Sequence, residues 1–155
     1  MNTAPTESDH ITGDTLTMVR VFDAPRDLVF DAWTDAEALA TWWGPTWVDV
    51  PRETVRVVAR VGGEWTATMV GADGEEFPSR SVFTVFDRPN RLELAASPES
   101  AFPSTLTVTF EEAAGKTVMT VANTVFTQHP DFSGMTTGWS SAFTKLRASL
   151  TKVHQ

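Results

Sequence analysis

The chain is poor in groups that move protons or attack carbonyls. It has three histidines, His10, His129 and His154, and no cysteine, so an imidazole base has three candidates and a thiolate nucleophile none. His10 and His154 lie near the two ends. His129 alone sits where a fold could position it, in the stretch Gln128-His129-Pro130-Asp131, and a histidine beside proline and aspartate is more often a solvated turn residue than a base. There is no Ser–His–acid grouping, zinc-ligand spacing or phosphate-cradling glycine loop. Gly62-Gly63 reads as a hairpin turn, and Glu75 and Glu76 as solvated acids beside another turn. No catalytic residue, metal ligand or cofactor site is assigned, and the weight falls on binding rather than on an enzyme.

What the chain has in quantity is aromatic surface. Six tryptophans and ten phenylalanines stand against no tyrosine, which supplies large apolar area with few hydroxyl handles. Such residues build either a core or an aromatic-lined pocket. At 155 residues and 41% hydrophobic, the chain is one domain able to bury about 68–70% of its unfolded surface. Its net charge of −8, without a local Lys/Arg cluster, argues against a nucleic-acid partner. With no charged-then-apolar opening segment and no run of about 18 apolar residues, membrane insertion is not expected and a cytoplasmic location is.

The elements that must position the aromatics follow in order. Residues 1–13 are polar and without periodicity, which predicts a flexible tail. A strand over 15–22 leads into two short helices. The first is expected to be capped by Asp23 with Pro25 in its first turn, and carries Leu28, Val29, Ala32 and Trp33 on one face. Thr34-Asp35-Ala36-Glu37 reads as a capping box for the second, whose buried side is Leu39, Trp42 and Trp43, and Gly44-Pro45 ends it. From Trp47 the period changes to two. An irregular strand region over 47–60 is kinked or placed at an edge by Pro51. Strands follow over 64–70, 81–86, 91–96, 105–110 and 117–126. Met135, Trp139, Ala142, Phe143, Leu146, Leu150 and Val153 then form one apolar stripe on a helix over 133–152, capped by Asp131 or Ser133. Small residues Gly138, Ser140 and Ser141 crowd its middle, where a backbone or bound molecule could approach.

Strand, two short helices, a run of strands and a long helix resemble the START-like (Bet v 1-like) helix-grip fold. That is an α+β architecture in which a curved antiparallel sheet grips a long C-terminal helix. In detail the chain resembles the activator of Hsp90 ATPase homologue (AHSA1-like) family of the SRPBCC superfamily. The matching residues are Ala24-Pro25 with Val29-Phe30-Asp31-Ala32-Trp33-Thr34, and Trp42-Trp43-Gly44-Pro45. Arg60, Gly62, Gly63 and Trp65 match at the glycine turn, Arg91-Leu92 in the next strand, and Gly138-Trp139 with Leu146 in the last helix. These positions span about 20–150, so the resemblance covers nearly the whole of a domain set at 14–155. Two departures stand out: Val58 and Val85 occupy positions where the family often carries aspartate and glutamate, which implies a more apolar cavity.

A helix laid across a curved sheet cannot fill the curvature, so the resemblance implies a mostly apolar pocket between them. By strand parity Trp65 and Met69 face it, with Phe83 and Val85 on the next strand. Trp139 and Phe143 form its roof, and Trp33, Trp43 and Trp47 its mouth or floor. The resemblance thus implies a binding protein for an apolar or aromatic small molecule, a lipid included. Two alternatives stay open: a chaperone-associated or stress-response interaction domain, and a cyclase- or dehydratase-like enzyme. A homodimer and a chaperone partner stay open with them.

Overall fold

A computed structural model describes residues 6–154, with side chains through 151. Eight strands pair antiparallel in the order β1-β2-β9-β8-β7-β6-β5-β3, and a ninth, β4, joins the flank of β5. In chain order these are β1 (Ser8–Thr12), β2 (Thr15–Phe22), β3 (Val48–Asp49), β4 (Arg56–Val57), β5 (Glu64–Gly71), β6 (Glu76–Asp87), β7 (Arg91–Ala96), β8 (Ser104–Ala113) and β9 (Lys116–Val125). The helices α1 (Arg26–Thr34) and α2 (Ala36–Ala40) follow β2, and α3 (Phe132–His154) closes the chain across the concave face of the curved sheet. This is the helix-grip architecture that the order of elements implies.

Alternation builds the inner face. Trp65, Ala67 and Met69 of β5, Leu106, Val108 and Phe110 of β8, and Met119 and Val121 of β9 are buried while their neighbours look outward, as a period of two requires of a sheet covered on one side. The α3 stripe packs onto that face through Ala142, Phe143, Leu146 and Leu150, with Met135 and Trp139 only partly buried at its N-terminal end. The side chain of Val153 lies outside the described residues.

Several local expectations are corrected. Ser8–Thr12, read as tail, form an exposed edge strand against β2. Two arginines anchor it: the buried Arg20 donates to Asp9 at 2.6 Å, and the exposed Arg147 of α3 pairs with Glu7 just before the strand. Residues 1–5 lie outside the described residues. Pro25, not Asp23, is the N-cap of α1 and makes no side-chain cap. Thr34 turns its hydroxyl back to the Phe30 carbonyl at 3.2 Å, leaving Asp35 to cap α2 by accepting from the Glu37 N–H. The 47–60 stretch is not one strand, because Pro51 opens a single 3₁₀ turn (Arg52–Thr54) between β3 and β4. At the start of α3 the cap is Asp131, whose Oδ1 accepts from Gly134 N at 3.0 Å.

Candidate functional site

A cavity of about 580 Å³ opens between the first half of α3 and the sheet from β5 to β9. It exists because the residues facing each other there are small. On β6 the inward positions run Phe77, Ser79, Ser81, Phe83, so two serines separate two rings. On the helix side the lining includes Gly138, where an added Cβ would come no nearer than 4.0 Å to Pro45. Close-packed interiors do not leave such space by accident, since each unfilled gap forfeits dispersion contacts.

Tryptophans form the inner end. The Trp43 ring meets Trp65 edge-on at 4.6 Å between centroids and Trp139 at 5.3 Å. Trp139 donates its indole N–H to Asn123 Oδ1 at 3.3 Å, and Asn123 Nδ2 donates to the Thr105 carbonyl at 3.2 Å. Behind this wall Trp33 and Trp42 are fully buried. Trp42 donates to the Ala32 carbonyl, Trp33 to Met119 Sδ, and Trp65 to the Trp33 carbonyl at 3.1 Å. The ring of Trp43 completes the cluster with its Nε1 sealed from solvent and without an acceptor among the described residues.

Towards solvent the walls are Met69, Leu94, Leu106 and Met135, and the rim carries Trp47, 56% exposed, and Phe102, which stacks on Phe77 at 6.2 Å. His129 and Asp131 are the titratable residues on the lining, both exposed at the rim, and no lysine or arginine lines the cavity. The nearby Lys145 on α3 donates to the Trp43 carbonyl at 3.4 Å. Burial lowers its amine pKa, and Asp49 offsets this only in part. Among the described residues no three His, Asp or Glu side chains gather as metal ligands.

Of the residues expected around the pocket, Trp43, Trp47, Trp65, Met69 and Trp139 line it. Four do not. Trp33 lies one layer deeper, in edge contact with Trp42 and Trp43. Phe83 packs edge-on against Phe86 at 5.2 Å. Phe143 stacks behind Trp139 and faces a small polar cleft beside Arg20 instead. Val85 is corrected by a β-bulge between Phe83 and Val85, which flips strand parity so that Phe86, not Val85, packs on the core. Neither Val58 nor Val85 borders the cavity, so valine at those positions does not make it more apolar.

Ser79, Ser81, Ser100, Ser104 and Asn123 line the cavity without having been singled out by sequence. For Asn123 the signal was present, since it continues the inward parity of Met119 and Val121. Ser79 was hidden by Pro78, which argues against a strand yet sits inside β6 opposite Thr68.

Comparison with known proteins agrees with this architecture. The profile of the activator of Hsp90 ATPase homolog 1-like protein family matches residues 23–151. Protein Ms6760 from Mycobacterium smegmatis is 27% identical, with a TM-score of 0.80 over 97% of this chain and 99% of that one. A protein from Arthrobacter aurescens, solved in solution, is 25% identical with a TM-score of 0.78, covering 94% of this chain and 91% of its own. Protein NE0264 from Nitrosomonas europaea shares the fold at 22% identity, with a TM-score of 0.81 over 93% and 99% of the two chains. No curated protein sequence matches the chain.

Proposed function

The chain belongs to the activator of Hsp90 ATPase homolog 1-like family, and within that fold we propose that its cavity binds a neutral, largely apolar small molecule and does no chemistry on it. The observation that carries this reading is the lining: about 580 Å³ walled largely by tryptophan, phenylalanine, methionine and leucine, with no lysine or arginine. A flat ring burying roughly 250 Å² of apolar surface gains about 6 kcal/mol before the costs of association are subtracted. A carboxylate carried into the same space meets no lysine or arginine, and burying an unpaired charge costs several kcal/mol. His129 and Asp131 sit at the exposed rim rather than among the inner walls, where a reacting bond would be held.

The test compares neutral aromatics, fatty acids and polyketide-like rings by thermal shift, with mass analysis of the recovered compound. A neutral ligand at a hundredfold excess over its Kd adds about 2.7 kcal/mol to stability. Preference for a carboxylated ligand, or recovery of an altered one, contradicts the reading.

A further inference from the structure

Most polar groups on the cavity wall are already committed. Ser100 Oγ accepts from the backbone N–H groups of Arg80 and Phe102. Ser104 donates to the Phe102 carbonyl, and both ends of the Asn123 amide are occupied. Ser79 and Ser81 differ. They stand two residues apart on β6 and therefore on one face, about 6–7 Å from each other along the strand. Ser79 is only 8% exposed, both residues line the cavity, and among the described residues no hydrogen bond engages either hydroxyl. Neither hydroxyl is sealed in the packing, so both are open to whatever fills the cavity, and alanine would have opened the same space without a polar atom.

From this we infer that the Ser79–Ser81 pair is a recognition site for an oxygen substituent, so that the ligand is a neutral flat ring bearing a hydroxyl or keto group. The inference rests on the binding reading above. Ser81 pairs across the ladder with Trp65, whose ring meets Trp43, itself in contact with Trp139. A ring lying against these tryptophans would turn its edge toward β6, where a serine both donates to a carbonyl and accepts from a hydroxyl.

Calorimetric titration of the full chain with 2-naphthol and with naphthalene, repeated on a variant carrying Ser79→Ala and Ser81→Ala, tests it. The wild type binds 2-naphthol about tenfold more tightly than naphthalene, the size of one hydrogen bond made or lost. In the double variant the preference falls to within about twofold, while naphthalene binds as well as before or better. Equal affinity of the wild type for both rings overturns the inference and leaves apolar binding standing. So does a preference that survives in the double variant. If neither ring binds the folded wild type, the binding reading fails and takes the inference with it.

Discussion

Trp33 and Trp139 are both tryptophans on apolar helix faces, yet their surroundings assign them different work. Trp33 is fully buried, touches Trp42 at 4.8 Å, and its carbonyl receives the Trp65 indole. Trp139 has one side on Phe143 and Trp33 and the other on open cavity. Trp33→Ala should therefore cost about 3–5 kcal/mol, as truncating a packed aromatic does. Trp139→Ala should cost about 1–3 kcal/mol, because part of its surface has no packing to lose, though Asn123 Oδ1 forfeits its donor. Chemical denaturation of both variants measures the gap, and equal losses would return Trp139 to the packed core. Residue type alone marked both as apolar anchors. Which one borders empty space depends on the residues around it, and the other lining positions, Ser79 and Ser81 on β6 among them, lie far away in sequence.

At the scale of elements, long periodic stretches were legible and their interruptions were not. The β5, β8 and β9 alternations and the α3 stripe each repeat enough times to outweigh one odd residue. The bulge in β6 inserts a single residue, which no propensity announces, and it moved Val85 off the inner face. The edge strand β1 was missed because its residues are all exposed, so it has no buried face and hence no pattern to read. It is held partly by charge: Arg20 occupies an inward parity on β2 and reaches Asp9, while its guanidinium lies 5.7 Å from the Phe143 ring. Removing the acid leaves a largely buried cation with fewer partners. Since Asp9 is partly solvated, Asp9→Ala should cost about 1–2 kcal/mol rather than the larger loss of a fully buried pair. Faster amide exchange along Ser8–Thr12 would accompany it, and unchanged stability and exchange would show that the backbone ladder alone holds β1.

At the scale of the whole molecule, the grip of a curved sheet on one helix accounts for the cavity, and the residues lining it account for what it can take in. The helix and sheet contact closely where Phe143, Leu146 and Leu150 fill the gap, and part where Gly138 and the β6 serines line the cavity. Among the described residues no helix is long and apolar enough to cross a membrane. The central claim is that this gap is a binding site, and the tryptophans report on it directly. Each of the six has one indole N–H, and four of them, Trp43, Trp47, Trp65 and Trp139, line the cavity, whereas Trp33 and Trp42 lie behind it. The decisive measurement is therefore a proton–nitrogen correlation spectrum of the indole region during titration with 2-naphthol. Saturable shifts led by Trp43, Trp65 and Trp139, with Trp33 and Trp42 moving least, are the expected result. Six unmoved indole signals, or shifts confined to the exposed Trp47, would contradict it.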